Sequence, residues 1–364
     1  MESKTLYKIP HLPPEIITEI LSRLSVKSLL KLKSTSKSWH SLISSEHFIK
    51  THLENSEKNP ISANHRILSV VKKPNYELKH FSLRPLLYEQ ATEAKRGDFP
   101  IDKSVHSLKL VGSCNGLICI LINKKIFFLW NPVTAESKKL PDLDVSVYIS
   151  ERGFGFDKSS GDYKVYAVSS RRPTIGNIYS LKTDSWTRIN NDLEDGYTLG
   201  SKTGTFLSGN LHWTITSKEL NWRWCILSLD LKNEVFGIME QPSDAIHVDF
   251  DPLVGVLDGC LSTLYYYPDD GYLEFWVLKQ YGVKESWSKL MTVSHQDYND
   301  AMDMRPLQSF VISPNERVLF KYGSVIGIAV YNPKENRVED PKILAFDQFL
   351  NSDIYVESLV SLNC

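Results

Sequence analysis

The segment SDAIHVDFD gathers Asp244, His247, Asp249 and Asp251 in one short stretch. An imidazole and several carboxylates are suitable ligands for a divalent cation, and alternate residues of a strand share a face. The plainer reading, which we adopt, is a strand rim and turn carrying solvated acids. GFGFDKSSG, starting at Gly153, begins like a dinucleotide-binding fingerprint. Its glycine spacing fails, however, and DYKVYAV, which follows, favours a strand rather than a helix. Cys114 and Cys119 flank a strand-like hairpin and read as small packed hydrophobes. The ten histidines are scattered and mark no nucleophile–base pair. No zincin, nucleophile-elbow, phosphate-loop or calcium-loop motif occurs. These residues predict a non-catalytic protein with no cofactor and no metal.

Binding surfaces are better candidates. NWRWC, LYYYPDDGYLEFW and RRPT combine aromatic and arginine side chains, the types favoured at interaction hot spots. Strand aromatics are expected to fill the interior. The loop residues Arg171, Arg172, Trp222, Arg223 and Tyr272 are therefore the candidates for target binding.

Whole-chain properties narrow the partners. The 364 residues carry 42 basic and 43 acidic side chains, a formal charge of −1. That balance predicts neither nucleic acid nor an anionic membrane as a general partner. No run approaches the roughly 20 apolar residues of a membrane span, and the first residues lack the apolar core of a secretory signal. The five cysteines include no C-x-x-C pair, and no N-x-S/T sequon occurs. A reducing compartment, cytoplasm or nucleus, is the expectation.

Two halves of different periodicity must position these residues. Over 12–53, Pro13-Pro14 can open a helix, and Ile16, Ile17, Ile20, Leu21 and Leu24 follow at helical spacing. VKSLLKLKSTS and SKSWHSLISSEHF predict two more helices, with Ser25 and Ser36 as N-caps. Three helices in about 40 residues make a marginal core. Their apolar residues either fill that core and dock on the rest of the chain, or leave a face for a partner.

From about residue 64, short β-branched and aromatic runs alternate with Asn, Asp, Gly, Ser and Pro turns. One turn type follows strands at Leu83, Asn131, Leu181, Asp230, Leu278 and Asn332. A second precedes them at Gly116, Gly161, Asn210, Gly259 and Asn315. Both recur roughly every 50 residues, a spacing typical of propeller blades. The expectation is a six-bladed β-propeller, with a sandwich of generic hairpins as the alternative. The clearest blade reads LKLVGS, GLICILI, KIFFLW and ESKKL. Another would be split, RILSVV and YELKHFSL being completed by residues 354–362. That closure would remove an exposed sheet edge.

The stretch LPPEIITEILSRLSVKSLLKLKSTSKSWHSLISSEHFIKTHL closely resembles an F-box. The matching positions are Leu12-Pro13, Ile16, Ile20-Leu21, Arg23-Leu24, Val26 to Leu29, Ser36 to Trp39 and Phe48. SCNGLICI, WNPVT, GFGFD with DYKV, YSLKTDSW and GNLHW resemble the plant-type F-box-associated domain, which has been labelled kelch-like. No Gly-Gly doublet or Trp-Asp dipeptide supports a kelch or WD label here. The resemblance implies an α+β multidomain chain, with a three-helix F-box over 8–54 and an all-β capture domain over 62–362. It implies a Skp-type adaptor as partner, through it a cullin and a RING subunit, and an unknown target protein for ubiquitination. Leu12, Pro13, Ile16, Ile20, Leu21, Leu24, Val26 and Leu29 would make the adaptor contact, while Trp39 would sit inside. Two departures stand out. Ser25 replaces a usual proline and is expected to loosen a turn. Ser34-Thr35 replaces a common Cys-Val pair and is expected to put hydroxyls in apolar packing. The competing function is a non-catalytic protein- or glycan-binding module whose F-box is vestigial.

Overall fold

A computed structural model describes residues 12–362 apart from 59–63, 73, 90, 103, 144–147, 170–171, 191–196, 217–223, 243–251, 268, 295–305, 313–316, 323–326, 340 and 346–348. Four helices open it: α1 Pro14–Ser22, α2 Val26–Lys33, α3 Lys37–Ile43 and α4 Glu46–Glu57. Proline occupies the first turn of α1, where its missing N–H costs nothing. Serine caps the other three. Ser25, Ser36 and Ser45 Oγ accept from the backbone N–H of Ser28, Trp39 and Phe48. The third cap was not anticipated. Ser45 divides the expected third helix into α3 and α4, because a capping serine leaves the helical backbone region.

Among the described residues, the strands then form six antiparallel blades. Blade 2 is Leu108–Cys114, Leu117–Ile122, Ile126–Trp130 and Ser137–Lys139, the four runs the sequence marks most clearly. Blade 3 is Ile149–Asp157, Asp162–Ser169, Arg172–Ser180 and Ser185–Asn190. Blade 4 has a divided first strand, Thr198–Leu199 and Thr205–Leu207, then Asn210–Thr216, Trp224–Asp230 and Val235–Met239. Blade 5 is Leu253–Leu257, Cys260–Tyr267, Tyr272–Leu278 and Trp287–Ser294. Blade 6 is Pro306–Ile312, Val318–Tyr322, Gly327–Asn332 and Arg337–Glu339.

Blade 1 is the split one. Phe349–Val356 pairs with His65–Lys72, which pairs with Tyr76–Ser82 and then Lys95–Arg96. The C-terminal strand thus closes the ring as the innermost strand of the first blade. It lies earlier than the expected 354–362. Residues after Val356 leave the sheet and do something else, described below. A parallel pair, Lys342–Leu344 with Ala91–Glu93, adds a second tie between the last blade and the first.

The repeat landmarks have a common chemistry. Asn115-Gly116, Ser208-Gly209 and Asp258-Gly259 all have positive φ at both residues, the conformation of two-residue hairpins. In the outer turns the side chains of Asn131, Asp230 and Asn332 accept N–H groups two residues ahead, from Val133, Lys232 and Lys334. Such Asx turns select Asn or Asp, which is why the spacing is readable at all.

The core is a ring of six seams. Leu117, Cys119 and Leu121 pack toward blade 3, while Ile118, Ile120 and Ile122 pack toward blade 1. Period-two alternation with both faces buried makes LICILI a continuous apolar run. The other seams join blades 3 and 4, 4 and 5, 5 and 6, and 6 and 1. Trp130, Trp213, Tyr179 and Tyr265 are almost wholly buried in them, as expected for strand aromatics. Trp213 meets Tyr166 edge-on at 5.4 Å across one seam, and Trp224 meets Tyr265 at 5.6 Å across the next.

Candidate functional site

The helices have a core of their own. Leu21, Val26, Leu29, Ile43 and Phe48 are buried together, with Ile17, Leu24 and Trp39 partly buried against them. His52 lies inside, 1% exposed, and its Nε2–H donates to Leu24 O at 2.9 Å. Burial lowers its pKa, against the opposing effect of the hydrogen bond to Leu24. Asn55 Nδ2 donates to Ser22 Oγ at 2.9 Å, pinning α4 to α1.

This core sorts the eight residues expected to touch an adaptor. Leu12, Ile16 and Ile20 are 53%, 47% and 48% exposed, and Pro13 is exposed beside them. Ile16 and Ile20 are one helical turn apart, so they form a ridge. Leu24 is partly buried at its end. Leu21, Val26 and Leu29 are different. At 4%, 0% and 0% exposure they are occupied by the helical core and present no surface to a partner. Helical spacing brought the two groups together but did not separate the outward ridge from the inward one.

The two departures from the F-box pattern are also corrected. Ser25 does not loosen its turn; its hydroxyl caps α2 and sits 2.9 Å from Ser28 Oγ. Ser34 and Thr35 are exposed, and their hydroxyls donate to Lys31 O and Leu32 O, each at 2.7 Å. No apolar packing is disturbed.

The helices are built onto one end of the propeller by the residues beyond the closing strand. Leu359, 7% exposed, enters the helical core, and Val133 from a blade 2 turn packs against the same cluster. Leu362 enters the seam between blades 2 and 3. Between them the backbone is held closely. Asn131 Nδ2 donates to Ser358 O and Val360 O at 3.2 and 2.8 Å. Ser358 Oγ donates to Asn115 O at 2.7 Å, and Leu362 N–H donates to Glu136 Oε2 at 2.9 Å. Gly116, at φ 84°, makes room, since a Cβ there would collide with Ser358 Oγ. Arg66 Nε donates to the buried carboxylate of Glu357 at 3.0 Å. The sequence suggested strand closure for this tail; its role as a strap between helices and propeller was not foreseen.

The strap fixes which end of the propeller is free. The hairpins between first and second strands, at Asn115-Gly116 and its equivalents, lie at the helical end. The connections between second and third strands lie at the other. Arg172 and Tyr272 begin third strands at that free end. Tyr272 is partly buried and stacks on Tyr267 at 4.6 Å. Arg171, Trp222 and Arg223 lie outside the described residues, as do Asp244, His247, Asp249 and Asp251.

A cavity of about 370 Å³ follows the propeller axis. It is walled by the first strands of blades 1 to 5, with Gly112, Gly204 and Gly255 among its lining, and Glu57 of α4 reaches its helical end. Burial raises the Glu57 carboxyl pKa, and nearby Glu54 adds to the effect. Among the described residues no group of His, Cys, Asp or Glu is arranged for a metal. Cys114 and Cys119 are buried and their thiol pKa values are pushed up, so neither is a ready nucleophile. GFGFD ends in a turn, not a phosphate cradle: Asp157 accepts from Ser159 N–H at 2.9 Å and from Ser160 Oγ at 2.6 Å.

Comparison with known proteins agrees with this anatomy. Residues 9–51 match the F-box domain model, and residues 88–362 match the F-box associated beta propeller domain model. An F-box/kelch-repeat protein of Arabidopsis thaliana is 31% identical over 369 residues, covering 97% of each chain. The Arabidopsis F-box protein CPR1 is 29% identical over 333 residues, 81% of this chain and 76% of the relative. Another Arabidopsis F-box protein is 27% identical over 375 residues, 90% and 87% of the two chains.

Proposed function

This chain belongs to the F-box proteins that carry an F-box-associated β-propeller domain, and from that premise we propose that it is the target-receiving subunit of a Skp–cullin–F-box ubiquitin ligase. Family membership supports substrate recognition in general and adaptor binding through the F-box. In the fuller reading the adaptor brings a cullin and a RING subunit, and the captured protein is ubiquitinated for degradation. The work is done in cytoplasm or nucleus. The chain supplies proximity and orientation rather than bond chemistry.

The observation that carries the reading is the exposed ridge of Leu12, Ile16 and Ile20 beside an already complete helical core. Apolar side chains in a row on α1 and just before it are not needed to fold those helices, so they are available to a hydrophobic groove. The strap makes helices and propeller one unit. A protein held on the free face therefore has a defined position relative to whatever grips α1.

The test is reconstitution. The chain would be assembled with a Skp-type adaptor, cullin and RING subunit and supplied with ubiquitin, activating and conjugating enzymes and fractionated plant extract. Ubiquitination of a distinct protein that requires both the F-box and residues 64–362 supports the reading. A binder of proteins or glycans that assembles with no adaptor would replace it.

A further inference from the structure

Among the described residues, blades 2 to 4 gather five cations on the free face that the ligase reading does not use. Blade 2 contributes Lys109 from its first strand and Lys124 and Lys125 from the turn before its third. Blade 3 contributes Arg152 from its first strand, and the segment entering blade 4 contributes Lys202. Backbone bonds draw these elements into one rim. Ile149 N–H donates to Lys124 O at 2.9 Å, Arg152 N–H to Lys202 O at 3.0 Å, and Gly204 N–H to Arg152 O at 2.8 Å. Leu110 and Thr203, the next residues after Lys109 and Lys202, line the central cavity, so the rim borders its mouth.

These charges repel one another. Burial and the neighbouring Arg152, Lys124 and Lys202 all lower the pKa of Lys109. Relief within the described residues is slight. None of the five has a carboxylate within ion-pair distance. Among the described residues, Glu151 interacts with Lys202, and burial raises its carboxyl pKa while Lys202 lowers it. Among the described residues the Arg152 guanidinium donates to Ser150 O, and its buried Nε has no acceptor. Lys124 and Lys125 lie over the exposed ring of Tyr148 at 5.0 and 5.7 Å. Like charges brought together, with no ion-paired carboxylate among the described residues, cost stability, and a partner that supplies counter-ions recovers it.

We propose that this rim, formed by Lys109, Lys124, Lys125, Arg152 and Lys202, docks an extended segment rich in Asp and Glu on the captured protein. Two features choose carboxylates over a phosphate group. Phosphate recognition favours clustered arginines with bidentate forks, whereas here one Arg accompanies four lysines. The lysines are also spread along blades 2 to 4, a footprint for several separate charges. Tyr148 adds a flat apolar contact beside them. The inference rests on the reading of this face as the capture face, but its test does not involve the adaptor.

The experiment uses the full chain and a fluorescein-labelled oligo-glutamate peptide, followed by anisotropy across a salt series. Wild-type protein is expected to bind saturably and to weaken as salt rises. The Lys109→Glu/Lys124→Glu/Lys202→Glu variant is expected to bind at least about tenfold more weakly, since three contacts are reversed in sign. Lys334→Glu, on a turn at the helical end, is expected to bind as wild type. Circular dichroism melts of all three proteins verify folding. If the triple variant fails to fold, single Lys124→Glu and Lys202→Glu variants carry the test, each with a smaller loss. Absent saturable binding, an equal loss in Lys334→Glu, or tighter binding of a neutral peptide bearing one phosphoserine would overturn the proposal. Retained adaptor co-elution alongside failed peptide binding would reject the rim while leaving the ligase reading intact.

Discussion

Replacing Leu359 by alanine should loosen the four helices without loosening the propeller. Leu359 belongs to the chain's C-terminal strap, yet it is buried in the core formed by Leu21, Val26, Leu29, Ile43 and Phe48. Truncating such a leucine typically costs about 2–4 kcal/mol, the transfer of the lost methyls plus the cavity left behind. At roughly 0.05–0.15 kcal/mol per residue, helices of this size hold only about 2–7 kcal/mol of their own. The loss is thus comparable with their whole stability. Native-state amide exchange is the assay, because local opening is read residue by residue. Protection at Leu29 and Ile43 should fall about 30- to 700-fold, the same energy expressed as an opening equilibrium. Protection at Ile118 and Ile120, in the seam between blades 1 and 2, should be unchanged. Equal loss in both regions would mean that helices and propeller unfold as one cooperative body. No loss in either would mean that Leu359 contributes nothing to the helical core. The first result would refute separate opening of the helices, and the second would refute the strap contact itself.

Other outcomes follow from single features. Gly116→Ala should destabilise by about 1–3 kcal/mol in a thermal or urea melt, since a side chain must enter a left-handed position and displace Ser358. Ser25→Ala should cost about 1 kcal/mol, the usual value of an N-cap, read in the same melts. His212 is buried between Thr205 O and Tyr281 Oη, and burial lowers its pKa to about 4. The folded state therefore binds fewer protons than the unfolded one between about pH 6.5 and 4. Stability from this group is complete above about pH 6.5, falls as pH drops, and levels off below about 4, a span of about 3 kcal/mol. His212→Gln should flatten that slope in melts taken across the range.

Much of this molecule is written in its local sequence, for identifiable reasons. The hairpin residues Asn115-Gly116 and Asp258-Gly259 must be small or αL-tolerant, and the Asx turns at Asn131, Asp230 and Asn332 need a side-chain acceptor. Both constraints act within a few residues, so the blade period is legible without any knowledge of packing. The closing strand was misplaced by several residues because IYVESLVSL alternates well enough to be a strand throughout. What ends pairing at Val356 is non-local: Glu357 turns inward to Arg66, and Ser358 bonds a hairpin in blade 2. The adaptor ridge was half legible. Helical spacing found Ile16, Ile20 and Leu21 together, but which of them faces outward depends on Phe48, Ile43 and Leu359, distant in sequence. The cationic rim is not legible in the local sequence for the same reason, since Lys109, Arg152 and Lys202 are gathered only by the ring of blades.

The most direct measurement is the affinity of the full chain for a Skp-type adaptor, by titration calorimetry, against an Ile16→Glu/Ile20→Glu variant. Both side chains are about half exposed, so covering them contributes about 1 kcal/mol each, and burying two carboxylates against a groove adds a further penalty. The variant should melt like wild type, because neither residue serves the core, yet bind at least about 100-fold more weakly. A wild-type chain that binds no adaptor, or a variant that binds as tightly as wild type, would contradict the claim that this ridge is the adaptor site.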